Sequence, residues 1–155
     1  MAIASEFWFS TGASNPVSLD ATASVGDLGG SNVSRINDGL ATPLFTTTST
    51  PTDGQVICKL DFGSAQLVAG FRAVNTKQAG SSDGVTMRIE QSSDDSSWTI
   101  FGTAWLISPG TTEHTETQTP TAVTKRYWRL VANQNFDGVA SIGEMELYAA
   151  TGLMP

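Results

Sequence analysis

Apolar residues in this chain alternate with polar ones far more often than they recur at helical spacing, and such alternation predicts strands with one buried face. Val56, Cys58, Leu60 and Phe62 share one side of a predicted strand, with Lys59 and Asp61 on the other. Val85, Met87 and Ile89 repeat the pattern against Thr86, Arg88 and Glu90. Trp128 and Leu130 point one way while Tyr127, Arg129 and Val131 point the other. Leu67–Val74, Trp98–Phe101, Ala104–Ile107 and Glu144–Tyr148 supply further short strands. Asp38-Gly39, Asp53-Gly54, Asp83-Gly84 and Asp137-Gly138 mark turns between them. Aspartate closes a turn through its carboxylate, and glycine takes backbone angles that other residues avoid. Short strands joined in this way predict an all-β protein of two packed antiparallel sheets.

A chain of 155 residues is the size of a single domain. About two-thirds of its surface would be buried on folding, enough to fold without a disulfide or metal staple. The expected division is an aromatic arm or edge strand over 1–14, a sandwich over 15–150 and a short tail over 151–155. Residues 42–52 read as a polar surface loop. In the leader, Phe7, Trp8 and Phe9 precede Ser10, Thr11, Gly12 and Ala13. This segment is either an edge strand of the core or an arm that docks on a neighbouring protein.

Composition narrows the picture. Hydrophobic residues at 39% and charged residues at 15% exclude a disordered tail and a coiled coil. Seventeen Ser, 20 Thr and 15 Gly favour strands and turns. A net charge of −7, with eight basic residues scattered along the chain, argues against nucleic-acid binding and docking on anionic membranes. No apolar run approaches the ~20 residues of a membrane span. The apolar start carries Glu6 and no basic residue before Arg35, so no secretory signal is expected. Cys58, the single cysteine, reads as a small buried apolar residue. Asn32-Val33-Ser34 is a glycosylation sequon, of little weight without a signal.

Catalytic chemistry finds little support. His114 lies in the polar stretch Thr111–Glu116, without a nucleophile-elbow motif, and reads as solvent-facing. One His and one Cys do not make a zinc site. Fifteen acidic residues allow many carboxylate pairs, but nothing in their order selects one for glycoside hydrolysis. Trp98, Trp105 and Trp128 fall in strand patterns and are expected in the sandwich core or at its rim.

Five segments in order, over roughly residues 33 to 149, carry a family resemblance. They are Asn37-Asp38-Gly39 with Thr42 and Phe45; Leu60-Asp61-Phe62-Gly63 with Leu67 to Val74; and Ser92, Asp94 and Trp98 in a Ser-x-Asp-x-x-x-Trp hairpin. Arg126-Tyr127-Trp128-Arg129-Leu130 and Ile142-Gly143-Glu144-Met145-Glu146-Leu147-Tyr148 close the set. Together they resemble the discoidin (coagulation-factor C-type) domains and the related galactose-binding-like carbohydrate modules. The resemblance implies a jelly-roll β-sandwich of two antiparallel sheets, with ligand-binding loops at one end and no catalysis. It also implies a structural calcium held by Asp38, Thr42, Glu144 and the backbone carbonyls of Leu40 and Gly143, all hard oxygen donors. Thr42 sits one residue earlier than the pattern, with Pro43 in the expected place. The alternative has Asp38 capping a turn and Glu144 pairing with a basic neighbour. For sugar, the resemblance points to the stretch Asn75-Thr76-Lys77-Gln78, where Lys77 stands in place of an arginine and so lacks its planar fork. Phe45 and Phe136 either offer an apolar ring face to the ligand or anchor loops on the core.

These features point to a non-catalytic binding or structural module. The setting expected for it is a phage virion, as head decoration, fibre or tail adhesin assembled in the host cytoplasm. Phe7, Trp8 and Phe9 would dock it on other virion proteins or its own copies, leaving loops to face cell-surface glycan. A free-standing lectin-like module is the alternative, and a small hydrolase the enzymatic one.

Overall fold

The computed structural model describes residues 21–38, 40, 44–78, 85–107 and 114–149. Phe7, Trp8, Phe9, Thr42, the Asp83-Gly84 turn and the segments 1–14 and 151–155 lie outside them. The described residues form nine strands: β1 Thr22–Val25, β2 Phe45–Thr46, β3 Val56–Gln78, β4 Val85–Ser92, β5 Thr99–Ile107, β6 His114–Gln118, β7 Val123–Ala132, β8 Ala140–Ile142 and β9 Glu144–Ala149. A short 3₁₀ turn covers Val33–Asn37, its start capped by the Asn32 side chain. All strand pairs are antiparallel. The protein is an all-β sandwich, as the alternation predicts.

β3 belongs to both layers. Its first part runs between β1, with Thr22 opposite Asp61, and β7, with Asp61 opposite Tyr127. Beyond β7 this layer continues through β4 to β5. The register shifts between Asp61 and Gln66, where Gly63 takes a φ of +73°. After that bend β3 pairs with β9 from Val68 to Val74 and with β6 from Phe71 to Thr76. Its end meets β8, with Lys77 opposite Ser141, and β8 in turn carries β2. The two strands predicted over 56–62 and 67–74 are thus one strand bent by a bulge. A second bulge, at Gly102 (φ +80°), joins the two predicted pieces of β5.

The shared interior is apolar. Cys58, Leu60, Met87, Ile89, Trp128 and Leu130 lie within it, together with Met145 and Leu147 from β9. Phe71, from the β9-side layer, packs on Trp105 and Phe101 of β5 with ring centroids 5.5 and 6.2 Å apart. Phe101 in turn meets Trp128 edge-on at 4.9 Å. The register shift between Val56 and Cys58 turns Ile57 into this core, while Val56 is buried beside it. The stretch 42–52, expected as a surface loop, contains β2 and the buried Phe45 and Thr47. Thr47 is held by hydrogen bonds with Ala140 across the β2–β8 end.

Candidate ligand-binding site

Alternation leaves Lys59, Asp61, Arg88, Glu90, Tyr127 and Arg129 on the outer face of the layer that contains β7. Glu90 is only 6% exposed. Arg88 Nε donates to its Oε1 at 2.7 Å, and Arg129 Nε donates to its Oε2 at 2.7 Å. Burial alone would raise the Glu90 pKa, but the two guanidiniums more than offset it and hold the carboxyl below its usual range. Arg129 also stacks on Trp98, its guanidinium carbon 4.2 Å from the ring centroid.

The Ser-x-Asp-x-x-x-Trp hairpin between β4 and β5 shapes this face. Asp94 Oδ1 accepts from the backbone N–H groups of Ser97 and Ser96 and from the Ser92 hydroxyl, at 2.8–2.9 Å. These bonds, the backbone ones foremost, hold its carboxyl well below the ordinary aspartate range. The tight turn places Asp95 in the left-handed region, at φ 57°, a conformation aspartate tolerates better than most residues. From there its carboxylate meets Lys59 Nζ at 3.1 Å, and Lys59 sits 5.6 Å from the Trp98 centroid.

At the β3 bend Asp61 takes a bidentate grip from Arg126, Nε to Oδ1 at 2.7 Å and Nη2 to Oδ2 at 2.9 Å. The same Oδ1 accepts from the Gly63 N–H. Arg126, first among these partners, lowers the Asp61 pKa. Arg126 also lies over the Tyr127 ring, 4.7 Å from its centroid. Between these groups opens a cavity of about 140 Å³, lined chiefly by Ser24, Lys59, Asp61, Asp95, Trp98 and Tyr127. A shallower hollow adjoins it at Asp61 and reaches Thr22 and Gly63.

Five of the eight basic residues therefore gather here: Lys59, Arg88, Arg126, Arg129 and, hydrogen-bonded to Ser93, Lys125. Four of them meet a carboxylate. The expectation of scattered basic residues fails because pairing of β3, β7 and β4 assembles charges that are remote in sequence. Trp105 and Trp128 are in the core as expected, but Trp98 lies on the outer face.

The residues singled out from the sequence gather elsewhere, around β8 and the start of β9. Phe45 is paired with Ile142, Lys77 with Ser141, and Val74 with Glu144. Phe45 is fully buried and Phe136 is 5% exposed. Both belong to the core cluster, so neither presents a ring to a ligand. Their apolar surface is consumed in holding the β2 and 133–137 segments on the sandwich. Lys77 is partly buried. The Asn37 side chain donates to the Met145 carbonyl at 3.0 Å, tying the Asp38 turn to β9. Asp38 Oδ1 accepts from the Leu40 N–H at 2.9 Å, capping that turn, and Glu144 is buried. Among the described residues no group of three or more His, Cys, Asp or Glu is arranged to hold a metal ion. A cation here would thus rest on two carboxylates and backbone carbonyls. His114 is partly exposed on β6, its Nε2 3.1 Å from Glu116.

No family model matches the sequence, and no curated protein sequence does. Solved structures do match in shape. A family 32 carbohydrate-binding module from a Clostridium perfringens glycoside hydrolase superposes with a TM-score of 0.64 at 16% identity, covering 83% of this chain and 94% of the module. A chitosan-binding module from a Paenibacillus sp. IK-5 chitosanase/glucanase gives 0.60 at 26% identity, covering 86% and 96%. The family 32 module of AlyQ, solved with 4,5-unsaturated mannuronic acid, gives 0.58 at 25% identity, covering 84% and 95%. The fold is the discoidin-like, galactose-binding-like sandwich. Within that discoidin-like frame, the sequence signals for Trp98 and Asp61 were the Ser-x-Asp-x-x-x-Trp and Leu-Asp-Phe-Gly segments. Each marks the fold, and each also supplies a wall of the outer cavity. Tyr127 stands both in the Arg-Tyr-Trp-Arg-Leu segment and at an outward position of the alternation, whereas Lys59 is marked by outward alternation alone.

Proposed function

We propose that this domain is a non-catalytic glycan-binding module that serves as a phage virion component, at the head surface, a fibre or the tail. The likeness of the whole sandwich to modules that bind chitosan or hold a mannuronate derivative supports the glycan-binding half. The aromatic leader Phe7-Trp8-Phe9 supports the attachment half, as a segment suited to docking on virion proteins or on further copies of the chain. A glycan array probed with the intact protein tests the first half, and absence of binding to every glycan overturns it. Removal of residues 1–12 tests the second. Particle or oligomer association should be lost while the strand spectrum is kept, and normal association overturns it.

A structural calcium belongs to the same reading. In this reading Asp38, Glu144 and the Leu40 and Gly143 carbonyls, together with Thr42, would supply an all-oxygen donor set of the kind calcium takes. The cation would fasten the Asp38 turn to β9. A ligand that binds only the folded state raises the melting temperature. The midpoint should therefore rise in millimolar calcium and fall back with chelator, and an unchanged midpoint overturns the assignment.

A further inference from the structure

The outer-face cavity between Trp98, Tyr127 and the Lys59–Asp95 pair has the chemistry of a sugar subsite. We infer that it binds one neutral pyranose ring through a pair of adjacent hydroxyls. This inference rests on the glycan-binding reading and names its site. At about 140 Å³ the cavity is smaller than the roughly 300–1,000 Å³ pockets that enclose drug-sized ligands, and suits a single ring rather than a chain of them.

The lining explains the choice of ligand. A pyranose has a C–H face and a hydroxyl rim. Trp98 and Tyr127 offer apolar surface for the first, and the charged groups between them serve the second. Lys59 and Asp95 have side chains 35% and 44% exposed, so their pair has hydrogen-bonding capacity left over. Nζ has three protons and the carboxylate several lone pairs. One hydroxyl of a neighbouring pair can accept from Lys59 while the other donates to Asp95, without breaking the ion pair. Ser24 and Asp61, also on the lining, add a hydroxyl and a second carboxylate.

Charge favours a neutral ligand. Lys59 is balanced by Asp95, and Asp61 by Arg126, so an anionic sugar would have to displace a carboxylate already in place. Trp98 is held by Arg129 beneath it, and Asp95 by the Asp94 turn, so both walls are fixed before ligand arrives. The shallower hollow beyond Asp61 gives a longer glycan an exit from the cavity.

The test uses the whole chain, titrated with methyl β-galactopyranoside, methyl β-glucopyranoside and galacturonic acid while the Trp and Tyr resonances are followed by NMR. Ser24→Tyr fills the cavity from an exposed edge position without removing a core contact. Lys59→Met removes the donor and keeps the stem. At least one neutral glycoside should shift the Trp98 indole signal in the parent protein, and its binding should weaken about tenfold or more in either variant, with melting temperatures unchanged. Glycan binding kept by Ser24→Tyr and Lys59→Met but lost in Lys77→Ala would leave the glycan-binding reading standing and overturn this location. Binding of galacturonic acid alone would overturn the neutral-ring assignment. If neither these probes nor any arrayed glycan binds, both the site and the reading beneath it fall.

Discussion

Arg129 lies against the Trp98 ring at 4.2 Å while its Nε and Nη2 atoms hold Glu90 Oε2 at 2.7 and 2.6 Å. One guanidinium thus links the hairpin loop to a nearly buried carboxylate on β4. Removing it in Arg129→Ala leaves Glu90 with Arg88 alone and strips the support from Trp98. The expected loss is about 2–3 kcal/mol, the range for a charged hydrogen bond whose partner stays buried. Arg129→Lys keeps the charge but not the fork, and should fall between. Urea denaturation measures both. An Arg129→Ala loss under about 0.5 kcal/mol, the size of an ordinary surface substitution, would mean that Arg88 alone satisfies Glu90.

The acid limb of stability should be set by Asp61, Asp94 and Glu90. Each has a folded pKa below its unfolded value, so the unfolded chain takes up protons first as pH falls. Their contribution is complete above about pH 4.3, the ordinary carboxylate range, and is lost on acidification through their lowered values. Glu146 has the opposite sign. Burial raises its pKa, with the Tyr148 hydroxyl and Arg72 only partly compensating. Its stabilisation is greatest below the ordinary range and is lost as pH rises through the raised value. In a melting-temperature profile, Asp94→Asn should flatten the acid limb and Glu146→Gln the decline on the other side. A profile left unchanged by both substitutions would contradict these assignments.

Cys58 should be inert in the native protein. It is fully buried opposite Leu130, and burial pushes its thiol up to about 12. The thiolate is the reactive form, so little of it exists near neutrality. A thiol reagent at pH 8 should label one group per chain in denaturant and almost none without it. Rapid labelling of the native protein would place Cys58 at the surface.

The fold was legible because period-two alternation records burial directly. Met87 and Ile89, or Trp128 and Leu130, announce their side of a sheet within a few residues, and the structure buries all four. What alternation does not record is continuity through a bulge. Gly63 and Gly102 each read as a break between strands, whereas both are kinks within one strand. The outer cavity was invisible for a related reason. Lys59, Asp95 and Tyr127 come from three separate segments, and only the pairing of β3 with β7 and the Asp94 turn bring them together. For Phe45 the sequence leaves a ligand-facing ring and a core anchor both open, because a two-residue strand has no period to decide between them, and the structure shows the core anchor.

Those two glycines share a positive φ and differ in what surrounds the position of a Cβ. Gly63 has a φ of +73° with nothing within 4 Å of where a Cβ would stand. Gly63→Ala should therefore cost only the left-handed backbone penalty, roughly 1–2 kcal/mol. Gly102 has a φ of +80°, but its Cβ would stand 2.4 Å from Gln118 Oε1 and 3.3 Å from Phe71. Gln118 clamps the bulge, accepting from the Thr103 N–H at 2.8 Å and donating to the Thr103 carbonyl at 3.0 Å. Gly102→Ala must pay the same backbone penalty and also swing Gln118 away from both bonds, each worth about 1 kcal/mol. It should lose about 3–4 kcal/mol in urea denaturation, clearly more than Gly63→Ala. Equal losses would show that the Gln118 clamp contributes nothing and that backbone strain alone sets the cost.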